Sequence, residues 1–350
     1  MFRREPRHGG DARDHRALAW EVAWQVELGE RVDASPIVVE NGVVVATRGG
    51  TVVLLDPGTG AERARASLGG SIWATPAAAN GMIVVGVVAK GGAELVGLGA
   101  RDLHVWWRRE AGPRVRSFGA GTAEGERVLL CAGDALVSIR AYDGREMGRH
   151  GVGDRCFGAP AIDGHTAYVG TRAGTVVAVA YAHQRHAGGR ARGGWTAPTR
   201  SLAFNDGAPV VAGDLVLVGS NNGYLHAFAK VNGAHLWRVG DGDWVVSAPA
   251  IADGLAIFGD DGDVVRAVSL ADGSERWRGE VGGDVASSAV VVGEHVVHGA
   301  HDGKVHAWRL NDGAPLEPID AGAPMFASPA VTGDGMVVIA THKGRVLAIR

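Results

Sequence analysis

Residues 237–278 read WRVGDGDWVVSAPAIADGLAIFGDDGDVVRAVSLADGSERWR. An apolar run follows Ser247-Ala248-Pro249, and a turn at Ala252-Asp253-Gly254 leads into a second run, LAIFG. A turn containing Asp260, Asp261 and Gly262 leads to a third run, VVRAVSL, and Ala271-Asp272-Gly273 leads to a short strand ending in Trp277. Short apolar runs bounded by tight Asp/Gly turns are antiparallel strands joined by hairpins, so the stretch is a four-stranded meander of about 40 residues.

Working outward, the same passage recurs. The proline after the small-residue pair acts as a ruler: Pro36, Pro76, Pro160, Pro209, Pro249 and Pro329. Two slots lack it, one near Ala120 and one at Ser288. Eight marks about 40 residues apart define an array, and four strands per unit select a propeller over a helical solenoid. The expectation is an all-β fold: an eight-bladed β-propeller filling residues 19–350, behind a disordered polar tail over 1–18.

Tryptophan gives a second register. Trp237 stands one short loop ahead of Pro249, and Trp24, Trp107, Trp195 and Trp277 hold similar places in their repeats. No complete repeat precedes Trp24, yet WEVAWQVEL (20–28) alternates apolar and polar residues like a half-buried strand. The last repeat stops at Arg350, after its third strand. Residues 20–28 are therefore predicted to supply the missing outer strand and close the ring, which removes exposed sheet edges.

Successive strands reverse, so the segment leading into each innermost strand shares one face with the turn between the second and third strands. That face gathers Arg48, Arg172, Asn221, Asn222, Asp260, Asp261, His301, Asp302, His342 and Lys343. It also gathers the aromatic residues Trp73, Phe157, Trp244 and Phe326, which are the candidate binding residues because aromatic side chains near a channel mouth suit a peptide or flat ligand. Arg48, Arg172, Asn221, His301 and His342 complete the candidate face. Wedging neighbouring blades together is the competing role for the aromatics.

Composition narrows the classes. The 55 glycines fit many tight turns, and a net charge of −3 gives no reason to expect nucleic acid. No apolar run is long enough for a membrane span. The segment 1–18, rich in Arg, His and Asp, lacks the apolar core of an export signal and suggests a solvated tail. With only Cys131 and Cys156 present, the expectation is a fold not held by disulfides and a cytoplasmic location. Cys131, in RVLLCAG, reads as a small buried hydrophobe, and Cys156 as a partly exposed thiol.

The unit SAPAIADGLAIFGDDGDVVRAVSLADGSERW (247–277) resembles a PQQ-type β-propeller repeat, with its S-P-A start, D-G turn and docking tryptophan. The resemblance covers about residues 20–350. It implies that Trp24, Trp107, Trp195, Trp237 and Trp277 dock each blade on the next, and that junctions at Ala64, Gly148 and Glu317, which lack Trp, are looser. Relatives of this kind include quinoprotein dehydrogenases, a propeller of outer-membrane β-barrel assembly, and scaffold or sensor propellers. The dehydrogenases carry an adjacent Cys-Cys pair, whereas Cys131 and Cys156 fall in neighbouring repeats.

The chemistry-bearing motifs are sparse. No GxxxxGK[ST], HExxH, GxSxG or CxxC run occurs. DGDW (241–244) and DDGD (260–263) lack the acidic residue that closes a calcium loop and read as turns. His295 and His298 stand three apart on one strand and so point to opposite faces, which argues against a metal cluster with His301 and His306. The insertion carrying His183, Arg185, His186, Arg190, Arg192 and Arg200 reads as a basic surface loop. The expected function is a non-catalytic, monomeric scaffold or ligand-sensing propeller with a protein or peptide partner, no cofactor and no metal. The alternatives are a PQQ-dependent oxidoreductase, or a β-barrel assembly factor whose export signal lies upstream.

Overall fold

The two middle strands of the repeats read as largely apolar runs because both of their faces are covered. In the computed structural model, which describes residues 11–12, 19–111, 118–181, 194–199 and 207–350, Gly42–Ala46 and Thr51–Leu55 are buried along their whole length. The outermost strands alternate instead, as in Glu62–Ser67 and Glu275–Glu280, since one face meets solvent.

Eight four-stranded antiparallel sheets, here blades 1–8, are ordered a (innermost) to d (outermost). Blades 1–4 span 37–67, 77–110, 118–151 and 161–198; blades 5–7 span 210–239, 250–280 and 290–320. Blade 8 takes strands a–c from 330–349 and its d strand from Val22–Glu27, which pairs antiparallel with Arg345–Ile349. The ends also share backbone bonds, Arg350 N–H to Glu21 O (3.1 Å) and its return (3.3 Å). The eight-bladed ring closed by the N-terminal strand is thus present as expected. Of the 1–18 segment, only Asp11–Ala12 are described, pairing in parallel with Val291 and Val292 of blade 7; the rest lies outside the described residues.

The core lies between the blades. Each of eight apolar clusters straddles one junction, for example Val44, Leu54, Ile83 and Leu98 between blades 1 and 2. Tryptophans reinforce the outer part of the junctions. Trp277 Nε1 donates to Leu310 O (2.7 Å), and its ring lies on Gly313, where a Cβ would sit 2.7 Å from the indole. Gly313 has φ +71°, so the seat demands glycine on both counts. Trp24, Trp107, Trp195 and Trp237 donate likewise to the carbonyls of Pro57, Ala141, Lys230 and Leu270.

Two junctions without such a tryptophan are filled from the opposite side. Opposite Ala64, the turn of blade 2 holds Leu103 where other blades hold glycine; it keeps a left-handed φ of 55° and is 2% exposed. Its N–H donates to Gly99 O (2.9 Å), as Gly313 N–H does to Arg309 O (2.9 Å). Opposite Glu317, Trp20 takes the same slot with φ 56° and donates Nε1 to Glu317 O at 2.5 Å. The bulky group has moved across each junction, so these two are not left hollow.

Two repeat marks shift by one residue. Strand pairing puts Gly121 and Ala289 in the proline slots, not Ala120 and Ser288. Gly121 N–H donates to Thr75 O (3.5 Å), which proline cannot do, and a Cβ there would come within 2.8 Å of Ala77. Ser288 instead belongs to a hydroxyl girdle. Ala248 N–H donates to Ser288 Oγ, Ser288 N–H to Ser328 Oγ and Ser328 N–H to Ser35 Oγ (2.9 Å each), and Ser35 N–H to Thr75 Oγ1 (3.0 Å). The girdle laces blades 6, 7, 8, 1 and 2 across the chain ends.

The cysteines correct the sequence expectation. Cys131, in strand b of blade 3, and Cys156, in the segment leading into blade 4, form a disulfide with Cα atoms 5.6 Å apart. Cys156 is 2% exposed and Cys131 fully buried. Positions well separated in sequence become neighbours because the blade 3–4 junction folds one against the other.

Candidate functional site

The backbone ties the two halves of the candidate face together. In five blades the first residue of the b–c turn donates its N–H to the segment leading into the same blade. Arg48 bonds Arg31 O (2.7 Å), Arg172 Arg155 O (2.8 Å), Asp261 Trp244 O (2.9 Å), His301 Asp284 O (3.0 Å) and His342 Pro324 O (2.8 Å). One repeated bond therefore fixes side chains from both segments around one mouth of the ring.

Five of the nine expected residues join into one arc. The Arg48 guanidinium stacks on the Trp73 ring, reaching from blade 1 to the lead-in of blade 2. Phe326 is wedged between His301 (ring centroids 4.2 Å) and His342 (4.9 Å), spanning blades 7 and 8. The link between these groups is Asp33, which the sequence reading missed. Asp33 accepts from Arg48 Nη1 (2.5 Å) and Arg31 Nε (2.8 Å), and His342 Nδ1 lies 3.2 Å from its Oδ1. His301 Nδ1 meets Asp284 Oδ2 at 3.1 Å. The arc thus runs Asp284–His301–Phe326–His342–Asp33–Arg48–Trp73. Asp33 was legible in principle, since it occupies in its own repeat the slot that Trp73 fills in the next.

The remaining candidates stand apart. Arg172 covers Phe157 at 4.9 Å within blade 4. Trp244, 53% exposed, sits over blade 6. Asn221 Oδ1, in blade 5, is buried and has no hydrogen-bond partner among the described residues. The basic insertion lies outside the described residues, apart from the 194–199 stretch that includes Trp195.

The face is electrostatically divided. Burial alone would raise the Asp33 carboxyl, but hydrogen bonds and charge from Arg31 and Arg48 outweigh it and hold it below the usual range. Over blades 6 and 7 the balance reverses. Burial pushes Asp261 up, and the carboxylates of Asp284, Asp260 and Asp243 add to this against His301. Asp260 is also raised by burial, despite Arg266 Nε at 3.2 Å. Its Oδ1 accepts from Gly262 N–H (3.1 Å) and Val264 N–H (3.2 Å), giving this Asp a structural place in the turn. Paired arginines around Asp33 therefore mark the blade 1 part of the mouth, and a group of carboxylates the part over blades 6 and 7.

Against this geometry the comparisons can be set. The family described as outer membrane protein assembly factor BamB matches residues 12–190 and again 182–350. The chain belongs to this PQQ-like propeller family. No curated protein matches the sequence. Among solved structures, BamB from Moraxella catarrhalis superposes with TM-score 0.76 at 18% identity, covering 95% of this chain and 97% of that one. Quinohemoprotein alcohol dehydrogenase from Comamonas testosteroni gives 0.76 at 13% identity, over 96% of this chain and 78% of that one. Sqt1 from Saccharomyces cerevisiae gives 0.75 at 11% identity, over 95% and 99%. At such identities the likeness shows the fold.

The quinoprotein neighbour raises the question of a quinone cofactor with its calcium ion. Among the described residues, no three His, Cys, Asp or Glu side chains come together as metal ligands. The cysteines join blades 3 and 4 and do not form an adjacent pair. Among the described residues, too, no helix is long and apolar enough to cross a membrane.

Proposed function

We propose that the chain is a non-catalytic scaffold propeller that binds a protein or peptide partner through the arc from Asp284 to Trp73. The observation that carries this reading is a pair of exposed aromatics held ready for contact. Trp73 is 54% and Phe326 40% exposed, yet each is fixed by cationic or imidazole neighbours anchored to the backbone ladder. Fixed aromatic and arginine groups bury large area at little entropic cost, which is what interface anchors require. The test replaces Trp73 and Phe326 by Ala and compares partner recovery with a Phe157→Ala/Trp244→Ala control. Loss confined to the first pair supports the reading; unchanged recovery refutes it.

A second reading, a part in β-barrel assembly, is favoured by the family match and by the disulfide. A bond between Cys131 and Cys156 persists in oxidising surroundings, so it supports a compartment outside the reducing cytoplasm over the cytoplasmic location expected from composition. Alkylation of denatured protein taken from its native host decides the compartment: blocked thiols support export, and two reactive thiols oppose it.

A further inference from the structure

A strand added to the edge of a sheet shows in both pairing and burial, and blade 7 carries both signs. Its four strands gain a fifth, Asp11–Ala12, which pairs in parallel with Val291 and Val292. The acceptor is the innermost strand, Val290–Val292, so the added strand lies on the channel side of the blade. Among the described residues, the other seven blades stop at four strands.

Val292 and His295 flank a two-residue turn, where facing residues exchange both backbone bonds. Val291, one step along, therefore turns its N–H and C=O away from strand b and toward the channel. A parallel strand at Asp11 and Ala12 takes up these groups. Burial agrees with the pairing. Val291 is 1% exposed, whereas Val38, in the same slot of blade 1, is 38% exposed. Ile162, Val211, Ile251 and Val331 hold that slot in blades 4, 5, 6 and 8 and are half-buried.

The added residues are poor strand formers. Asp and Ala are both depleted in strands, and two residues make a short ladder, so the pairing rests on backbone bonds and on tethering. A segment joined covalently to the ring acts at an effective concentration of about millimolar, which keeps a weak strand in place without further contacts.

We propose that the channel-side edge of blade 7 is a β-addition site whose resident strand is the chain's own segment around Asp11–Ala12, an internal competitor for an extended peptide. Recognition of this kind reads backbone before side chains. The incoming peptide needs free N–H groups in an extended conformation, and β-branched residues opposite Val291 and Val292 strengthen it. The site stands apart from the arc, since it uses the inner edge of one blade and none of the residues at the mouth.

The test compares the full-length chain with Asp11→Pro/Ala12→Pro, since proline has no N–H to give the ladder. The ring closes through Val22–Glu27, so these substitutions leave it intact. Hydrogen exchange read on a peptic fragment spanning Val290–Val292 should quicken about tenfold in the variant. The probe is the capped, fluorescein-labelled peptide of residues 7–16 carrying Asp11→Val/Ala12→Val, followed by anisotropy. It should bind the proline variant saturably and the wild type about tenfold more weakly, because the resident strand competes. The same peptide with proline at both positions should not bind. Adding Trp73→Ala/Phe326→Ala to the proline variant should leave binding of the valine peptide unchanged. Exchange unaltered in the variant, no saturable binding, equal binding to both proteins, binding of the proline peptide, or binding that needs Trp73 and Phe326 overturns the proposal.

Discussion

Lowering the pH from 7 to 5 should cost this propeller stability through two buried imidazoles. His298 is fully buried and stacked on Trp308 (4.7 Å), and desolvation, with the His306 charge adding, lowers its pKa to about 3. His226 is likewise buried, and desolvation followed by repulsion from His235 and Arg238 takes it to about 3. Because these bases hold fewer protons folded than unfolded, stability is complete above the unfolded pKa of about 6.5 and falls as the pH drops towards 3. At pH 5 the folded imidazoles remain neutral, so the loss is set by the unfolded value: about 1.5 pH units, or about 2 kcal/mol for each histidine. Asp33, Asp143 and Asp312, pulled downward, contribute little in this window, whereas Asp260 and Asp261, pushed up by burial, offset part of the loss as they take up protons. The perturbation that isolates the effect is His298→Leu. The imidazole Nε2 has no partner, and the Gly299 carbonyl that Nδ1 meets at 3.2 Å also accepts from Ser287 Oγ (2.7 Å), so an apolar side chain of similar size should leave stability at pH 7 nearly unchanged. Urea unfolding followed by tryptophan fluorescence at both pH values gives the difference. The wild type should lose about 2 kcal/mol more than His298→Leu between pH 7 and 5, since every other titrating group is common to both proteins. Equal losses in the two proteins would refute the argument that His298 is buried and neutral.

Other outcomes follow from single contacts. Reducing the Cys131–Cys156 bond, whose partners are separated by 25 in sequence, should lower unfolding free energy by about 3.5 kcal/mol on loop entropy, read as an earlier urea midpoint with reductant. Ala64→Trp alone should destabilise through overpacking against Leu103, and adding Leu103→Gly should recover much of the loss; a double-mutant cycle reads the coupling. Asp261→Asn should raise the thermal midpoint at pH 7 and give a shrinking gain on acidification, because raising this acid's pKa makes its ionised form unfavourable in the folded state.

The repeat was readable because turns and apolar runs are local. The Ser-Ala-Pro starts, Asp/Gly turns and WEVAWQVEL strand locate the ring and its closure without long-range knowledge. The inverted junctions at Leu103 and Trp20 were not, since nothing local marks a bulky residue that accepts a left-handed φ. The disulfide was hidden for the same reason: pairing Cys131 with Cys156 needs the blade 3–4 junction in three dimensions. At the mouth, the face of each candidate followed from strand reversal, but the joining of Arg48, His342 and Phe326 through Asp33 depends on side-chain reach.

The most direct trial of the arc as a binding surface is quantitative affinity purification from the native host, comparing wild type with Trp73→Ala/Phe326→Ala under conditions where both are folded. The arc predicts a specific partner that falls at least tenfold in the variant, as anchor residues worth about 2 kcal/mol or more require. Recovery of that partner at wild-type level, with both aromatics removed, would contradict it.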